Sequence, residues 1–273
     1  MIKIIQIESK QNRLVKHWKK LHKPKERKKT KTFLLEGEHL LQEAIASNLS
    51  IVAWLVMEEK WGWFRSRFPF KQFQSPIYLL PSSIFRSLME TQTPQGIAAE
   101  VEFPVNKKKD CTFTGTTYLL LDAIQDPGNL GTIIRTAEAT NVDEIWLGEG
   151  CVDPTNAKVI RAAMGSSFRV PIFSGNFAQI IPQMQQQGIQ VISASPRTTN
   201  NYFHYHYSQQ VAFLLGNEGR GVQPKWRSLV DAEVSIPMFG KTESLNVSIT
   251  ASLLLYERLR QHSFTCKGNQ HSI

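Results

Sequence analysis

The chain is organised around three segments: NLGTIIRTAEA (residues 129–139), LLGNEGRGV (residues 214–222) and IPMFGKTESLNVS (residues 236–248). Each is associated with a run of leucine or β-branched residues that is typical of a buried strand; these runs read YLLLDAI, VAFLLG and AEVSIP. Open α/β sheets place the polar residues and glycines of their sites at strand ends. The three segments therefore predict a functional site in an α/β fold.

Each polar residue in these segments also has an ordinary structural explanation when it is considered alone. Asn129 stands near a helix start, where asparagine is usually a cap, and Arg135 in the second turn is typical of a solvated side chain. Ser244 and Asn246 are residue types that cap helices well. All three segments in this order, each at a strand end, are much less expected by chance, and their combination favours a site.

The second segment contains three glycines directly after an apolar strand, which indicates a backbone that approaches a ligand closely. Gly216, Gly219 and Gly221 have the spacing G-x-x-G-x-G, which differs from the dinucleotide-binding fingerprint. Glu218 lies inside the same turn, where its charge would repel a pyrophosphate. A phosphate-binding loop is therefore the poorer interpretation.

The three segments resemble the motifs of the SpoU (TrmH-like) branch of the SPOUT RNA methyltransferases, and the resemblance extends over residues 118–261. It implies a parallel-sheet SPOUT catalytic domain of the α/β class, in which the carboxy-terminal segment forms a trefoil knot. It also implies S-adenosylmethionine as the cofactor and a homodimer formed mainly by the catalytic domains. A further stretch, TFLLEGEHLLQEAI, resembles the small α/β substrate-binding domain that often precedes this catalytic domain.

The same resemblance assigns candidate site residues by position. The positions that match the family's cofactor pocket are Leu215, Gly216, Ile236, Met238 and Leu245. The positions that match its catalytic polar residues are Asn129, Arg135, Glu218, Ser244 and Asn246. The implied reaction transfers a sulfonium methyl group to a ribose 2′-hydroxyl, which requires in-line positioning of a weak nucleophile and removal of its proton. No metal is expected, because methyl transfer from a sulfonium requires none.

Arg135 is expected to act through its charge. Family mechanisms assign this arginine to activate the hydroxyl, but an arginine with a pKa above about 12 rarely gives up its proton. We therefore expect Arg135 to stabilise the alkoxide or an adjacent phosphate, and the identity of the proton acceptor stays open. Asn129 and Asn246 would orient their neighbours, and Glu218 would hold Arg135 or the substrate-side backbone.

The formal net charge of +9 is concentrated at the amino terminus. Residues 1–32 contain 12 Lys or Arg against two Glu, a net charge of +10, whereas the other 241 residues sum to −1. Such an arm favours an RNA partner, because neutralised phosphates release counterions; a solvated tail that aids solubility is the alternative. Apolar residues at helical spacing within the arm predict a helix that packs on the body and presents lysines to RNA; these residues are Leu14, Val15, Trp18 and Leu21.

Composition and periodicity, together with the family resemblance, which supplies the functions of the two domains, divide the chain into five regions. They are a basic arm (1–31), a small α/β RNA-binding domain (32–103), a linker (104–117), the methyltransferase domain (118–262) and a tail (263–273). The linker is polar, rich in lysine and without periodicity. The aromatic stretch WGWFRSRFPF (61–70) is more typical of a core with an amphipathic rim than of a base-stacking surface.

Several classes of protein are disfavoured. No apolar run is long enough to cross a bilayer, and MIKIIQIESK lacks the layout of a signal peptide. The three cysteines are widely scattered and fit neither a disulfide framework nor a zinc site, which favours a reducing cytoplasm. Asp122 and Asp126 flank the end of the first strand and are interpreted as turn residues, not as a metal-binding pair.

The sequence leaves two functions open. The first is a homodimeric RNA ribose methyltransferase; the fused amino-terminal domain and the basic arm favour ribosomal RNA as its substrate, with transfer RNA as the alternative. The second is a non-catalytic RNA-binding factor of ribosome assembly that keeps the fold. The presence of Asn129, Arg135 and Asn246 favours the enzyme.

Overall fold

The computed structural model of the protein describes residues 2–68, 74–103 and 112–263. The chain divides into two compact units. Unit 1 comprises Met1–Val105 and Thr155–Arg161, and unit 2 comprises Asn106–Pro154 and Ala162–Ile273. Most of the predicted linker and nearly all of the predicted tail, residues 104–111 and 264–273, lie outside the described residues.

Unit 1 contains a mixed five-stranded sheet. Its strands are β1 (Ile4–Gln6), β2 (Thr32–Glu36), β3 (Ile51–Met57), β4 (Ile77–Leu80) and β5 (Ile97–Glu102). Its helices are α1 (Arg13–Lys20), α2 (Pro24–Thr30), α3 (Glu38–Ala46), α4 (Trp61–Arg67) and α5 (Ser82–Arg86). The strand order is β1-β4-β3-β5-β2, with parallel pairing on either side of β4 and antiparallel pairing on either side of β5. Four apolar runs in residues 32–103 predict strands and correspond to β2, β3, β4 and β5; the runs read FLLEG, IVAWLVME, IYLLP and GIAAEVEF. β1 is an additional edge strand.

The amphipathic helix predicted in the arm is α1, which is part of the core of unit 1. Asn12 caps its first turn, because its side-chain oxygen accepts the backbone N–H of Leu14 at 2.8 Å. Val15 and Trp18 are fully buried in a cluster with residues of β3, β4 and α5. The basic residues on the opposite side of α1 are exposed. One side of the helix therefore packs on the sheet and the other presents positive charge.

A buried carboxylate holds α1 on the sheet. Glu100 on β5 is 5% exposed, and its oxygens lie 2.8 Å from Nε2 of His17 and 3.0 Å from the indole N–H of Trp18. The hydroxyl of Thr32 donates to the same carboxylate at 2.7 Å. Burying a carboxylate is costly unless it is hydrogen-bonded, so these donors make the position of α1 and the burial of Glu100 depend on each other.

One arginine of the arm is buried and so is not part of the exposed basic surface. Arg27 in α2 is 4% exposed, and its guanidinium donates to the backbone carbonyls of Leu21 and His22 at 2.9 Å each. It also donates to the hydroxyl of Thr155 at 3.1 Å. Arg27 therefore joins α2 to the second segment of unit 1.

The described part of the aromatic stretch forms α4 and packs as a core with a rim. This agrees with the interpretation that the sequence favoured. Phe64 and Phe68 are buried, and their rings lie 5.4 and 5.6 Å from that of Trp54. Trp61 is half-buried, with the guanidinium of Arg65 5.6 Å above its ring. The last two residues of the stretch lie outside the described residues.

Unit 2 contains a parallel six-stranded sheet. Its strands are β6 (Thr117–Leu121), β7 (Glu144–Leu147), β8 (Ile172–Ser174), β9 (Gln190–Ala194), β10 (Val211–Leu215) and β11 (Ala232–Val234). The remaining helices are α6 (Pro127–Ala139), α7 (Ala157–Ala163), α8 (Phe177–Gln186), α9 (Pro224–Arg227) and α10 (Val247–Ser263). The strand order is β11-β9-β10-β6-β7-β8, and every pair is parallel. Six apolar runs in this half of the sequence predict strands, and each corresponds to one of these six; the runs read YLLLDAI, EIWLG, FRVPIF, IQVISA, VAFLLG and AEVSIP.

The topology brings the three segments identified in the sequence to one end of this sheet. β6 and β10 are neighbours, and every residue in both is buried. The backbone N–H of Asp122 donates to the carbonyl of Leu215 at 2.8 Å, so the segments after these two strands begin side by side. The segment after β11 leads into α10, which packs on α6 with the hydroxyls of Thr136 and Ser252 3.2 Å apart.

Candidate active site

Asn129 lies in the first turn of α6 but is not its cap. Asp126 holds that position, and its carboxylate accepts the backbone N–H of Asn129 at 2.8 Å. The Asn129 side chain is therefore available for other contacts. Its amide nitrogen donates to Glu218 at 3.1 Å, and its oxygen accepts from the Asn246 amide at 2.8 Å.

Asn246 caps a helix and also contacts Asn129, and its catalytic role stays a prediction. Its side-chain oxygen accepts the backbone N–H of Ser248 at 2.8 Å and the hydroxyl of the same residue at 2.6 Å, which caps α10. Its amide nitrogen meanwhile donates to Asn129. One side chain thus anchors the start of α10 to the start of α6.

Glu218 completes a network of hydrogen bonds that begins at Ser248 and passes through Asn246 and Asn129. Its carboxylate also accepts from the backbone N–H of Asp126 at 3.3 Å. Partial burial raises the pKa of the Glu218 carboxyl, but hydrogen bonds from the Asn129 side chain and from nearby backbone N–H groups outweigh it, so the pKa lies below the ordinary value of 4.5. Glu218 is therefore an anion at neutral pH and a weak base.

The glycine-containing turn after β10 folds tightly on itself. The backbones of Asn217 and Gly221 exchange two hydrogen bonds, of 3.1 and 2.9 Å, and Gly221 has a φ of +68°. A Cβ atom on Gly216 would lie 2.1 Å from the backbone of Gly221 and Val222. The turn itself therefore requires the absence of a side chain at Gly216, and the close approach of this backbone to a ligand stays a prediction.

Two polar residues that the sequence analysis did not assign to the site shape it. Asn217 accepts the backbone N–H groups of Gly219 and Arg220 at 3.0 and 3.2 Å and donates to the carbonyl of Ala123 at 2.9 Å. Asp122, interpreted from sequence as a turn residue, is buried. It accepts from the backbone and side chain of Gln223 and from the indole of Trp226, at 2.7–3.2 Å. The position of Asn217 inside a glycine-containing turn could have indicated its role from the sequence. The role of Asp122 could not be predicted in this way, because its partners are distant in the sequence.

Arg135 and Ser244 lie outside this network. Arg135 is exposed on α6, six residues after Asn129, and makes no hydrogen bond or ion pair within the described part of the chain. Glu218, expected to hold either Arg135 or backbone, contacts the backbone N–H of Asp126 and the amides of Asn129 and Asn217. Ser244 is exposed and does not cap α10. The structure thus brings together Asn129, Glu218 and Asn246 out of the five predicted catalytic residues.

The five predicted cofactor residues lie at the carboxyl ends of β10 and β11 and directly before α10. Leu215 is buried, and Ile236, Met238 and Leu245 are half-buried, so each of these three exposes part of an apolar side chain. Among the described residues, the backbone groups of Ile236 and Met238 have no hydrogen-bond partner. Apolar surface beside free backbone groups fits a nucleoside-containing ligand such as S-adenosylmethionine.

The structure also bears on metal binding and membrane insertion. Within the described ranges, no group of three or more His, Cys, Asp or Glu side chains is placed to hold a metal ion. Among the helices that these residues form, none combines the length and apolarity needed to cross a bilayer.

Two family models match the chain. The model of the SpoU rRNA Methylase family matches residues 116–256, and the model of the MRM3-like substrate binding domain matches residues 12–99. The first match contains all three segments of the candidate site. The second begins inside the predicted arm and includes α1, which agrees with the packing of this helix in unit 1.

Curated proteins and solved structures are similar over almost the whole chain. The 23S rRNA (guanosine(2553)-2'-O)-methyltransferase RlmP of Bacillus subtilis is 40% identical, over 92% of this chain and 98% of its own. An uncharacterized tRNA/rRNA methyltransferase of Synechocystis is 34% identical over 94% of both chains. The crystal structure of an AdoMet-bound rRNA methyltransferase from Sinorhizobium meliloti superposes with a TM-score of 0.81, at 27% identity, over 95% of this chain and 98% of that one.

Proposed function

We propose that the chain, which belongs to the SpoU rRNA methylase family, transfers the methyl group of S-adenosylmethionine to a ribose 2′-hydroxyl of ribosomal RNA. The observation that carries this proposal is the hydrogen-bonded network of Asn129, Glu218 and Asn246. These residues come from three separate segments, and their contacts fix two amide groups at the end of a parallel sheet. An assembly factor that only bound RNA would not need such an arrangement.

The network positions groups and does not itself remove the proton. A carboxylate whose pKa is lowered by its hydrogen bonds is a poor proton acceptor, so we assign Glu218 to hold the Asn129 amide. Asn129 in turn fixes the orientation of the Asn246 amide. Such fixed dipoles favour the in-line geometry that transfer to a hydroxyl requires.

Arg135 supplies the positive charge of the proposed site. A guanidinium is a permanent cation with planar, bidentate donors, which suit a phosphate or a developing alkoxide. Its exposure and its lack of partners among the described residues leave it free to contact RNA. The residues proposed to hold S-adenosylmethionine, which supplies the electrophilic methyl group, are Leu215, Gly216, Ile236, Met238 and Leu245.

We also propose the threading and the oligomeric state that the family implies. The carboxy-terminal segment would pass through a loop to form a trefoil knot, and a structure with bound S-adenosylmethionine tests this directly. A homodimer is supported by an apolar groove of about 410 Å³ along α10, where Ile249 and Tyr256 are 49% and 53% exposed. The mass of the parental chain in solution, compared with that of the Tyr256→Glu variant, tests the dimer.

The relatives and the charge pattern support ribosomal RNA as the substrate. The Bacillus subtilis relative is named for 23S rRNA, and its similarity covers both units of this chain. Exposed lysines of α1 and α2 provide a surface for phosphates. We propose the cytoplasm as the compartment, because the three scattered cysteines of the sequence fit a reducing environment.

A methyl-transfer assay tests the proposal. Labelled S-adenosylmethionine is incubated with the protein and either an unmodified 23S rRNA transcript or a mixture of transfer RNA transcripts. We expect label in the 23S transcript, in alkali-resistant dinucleotides that mark a 2′-O-methyl group. Label in transfer RNA alone would support the alternative substrate, and tight binding of 23S rRNA without label would support the assembly factor.

A further inference from the structure

Phe239 is unusually exposed for an aromatic residue. It is 99% exposed, whereas the other large exposed apolar side chains, in both units, are 37–53% exposed. At that exposure its ring packs against no other side chain in the described part of the chain. A phenylalanine held entirely in water loses the contacts that aromatic side chains normally make in the folded state, so its position suggests a binding partner.

Phe239 projects from the segment that carries the candidate site. It lies three residues after Ile236, in the proposed cofactor pocket, and seven residues before Asn246, in the hydrogen-bonded network. Gly240 follows it with nothing within 4 Å of an added Cβ atom. Phe239 therefore lies on the short segment that joins the proposed cofactor pocket to the hydrogen-bonded network.

The surroundings of Phe239 favour RNA over a protein partner. The five residues that follow it, residues 240–244, are Gly, Lys, Thr, Glu and Ser, and all are exposed. Protein interfaces bury aromatic residues at the centre of apolar patches, and such a patch is absent from this described stretch. The exposed cations Lys241, in the same segment, and Arg220, two residues from Glu218, suit a phosphate backbone.

We infer that Phe239 provides the ring on which an unpaired base of the RNA substrate stacks, beside the ribose that is methylated. Sequence-specific recognition of RNA acts mainly on unpaired bases, which stack on aromatic side chains. A stacked base fixes the position of its nucleotide, and methyl transfer to a hydroxyl depends on that position. This inference rests on the proposed function, because it names the means by which the site holds its substrate.

Four variants test the inference on the full chain with the unmodified 23S rRNA transcript. Phe239→Ala removes the ring, Phe239→Leu keeps an apolar side chain without a π face, and Phe239→Tyr and Phe239→Trp keep the aromatic face. Stacking contributes about 1–3 kcal/mol per base, so we expect kcat/KM for Phe239→Ala to fall by about tenfold or more. We expect Phe239→Leu to resemble Phe239→Ala, and the aromatic variants to retain the parental kcat/KM within about threefold.

Two further measurements exclude other partners for the ring. Calorimetry is expected to give the same S-adenosylmethionine affinity for all four variants, and sedimentation the same mass. A weaker cofactor affinity in Phe239→Ala would mean that the ring contacts the cofactor, and a changed mass would mean that it contacts a second copy; either result overturns the inference.

The assay separates failure of this inference from failure of the proposed function. A parental chain that transfers no methyl group to RNA would contradict the proposed function and, with it, the inference. An active parental chain whose Phe239→Ala or Phe239→Leu variant is equally active would overturn the inference alone.

Discussion

Two glutamates show how differently the same contacts are used in the two units. Glu100 in unit 1 and Glu218 in unit 2 each accept hydrogen bonds from three other residues. Glu100 is 5% exposed, and its donors lie on α1 and β2, whereas Glu218 is exposed, and its donors come from the segments that follow β6 and β10. The buried cluster around Glu100 therefore stabilises the fold, whereas the exposed cluster around Glu218 is accessible to a ligand.

The largest expected effect is on the buried cluster. Trp18→Ala removes a fully buried side chain and a donor to Glu100, so the free energy of unfolding of unit 1 should fall by about 3–5 kcal/mol. Lys19→Ala, at the exposed neighbouring position, is the control and should change it by less than about 0.5 kcal/mol. Denaturant titration followed by circular dichroism measures both; similar small losses would contradict the place of α1 in the core.

Variants of Arg135 test whether the exposed network of Glu218 supports methyl transfer without a cation. Arg135→Ala should leave S-adenosylmethionine affinity intact and lower turnover about a hundredfold or more, the scale of a lost electrostatic donor. Arg135→Lys should recover little, since lysine lacks the planar fork. Calorimetry and single-turnover methyl transfer measure the two effects. Transfer near the parental rate in Arg135→Ala would remove this residue from the proposed catalytic group.

The exposed lysines of α1 are expected to bind RNA, whereas the side of α1 that contacts Glu100 stabilises the fold. Deleting the arm would also remove the edge strand β1 and the buried Trp18, so charge removal is the better test. Changing Lys16, Lys19 and Lys20 together to glutamine should weaken binding of the 23S transcript and flatten its salt dependence by up to about three in slope. Filter binding at several salt concentrations measures this dependence, and an unchanged slope would mean that α1 does not contact the RNA.

The smallest expected effect is the pH dependence of the contribution that Glu218 makes to stability. Its folded-state pKa is lowered, so its contribution to stability is present above the ordinary value of 4.5 and is lost as pH falls through the folded-state pKa. The Tm of the parental chain should therefore exceed that of Glu218→Gln by a constant, small amount at neutral pH, and the difference should vanish only in acid. A difference that changed between pH 6 and 8 would contradict the anionic assignment.

Local patterns in the sequence predicted most of unit 2. Its strands are short apolar runs between turn signals, and all six are present, since burial on both faces leaves a clear pattern. The candidate site could be proposed because strand ends of a parallel sheet meet at one edge. Which side chains contact each other could not be predicted: Asn129 and Asn246 are 117 positions apart, and Glu218 contacts Asn129 across 89.

Unit 1 was less predictable because its charges and its core share the same segments. Counting lysines and arginines describes the arm as a polyelectrolyte, but Arg27 is buried by carbonyl groups that no composition reveals. Glu100 meets His17 across 83 positions. The edge strand β1 is three residues long and too short to show a periodicity.

The most direct test of the central claim maps 2′-O-methyl groups in ribosomal RNA from cells that lack the gene and from cells that carry the parental gene, Asn129→Ala or Gln179→Ala. Gln179 is exposed on α8 and outside the network, so its variant is the control. We predict a 23S rRNA nucleotide that is methylated with the parental and Gln179→Ala genes and unmethylated with the other two. Methylation that persists with Asn129→Ala, or an identical methylation map without the gene, would contradict the account.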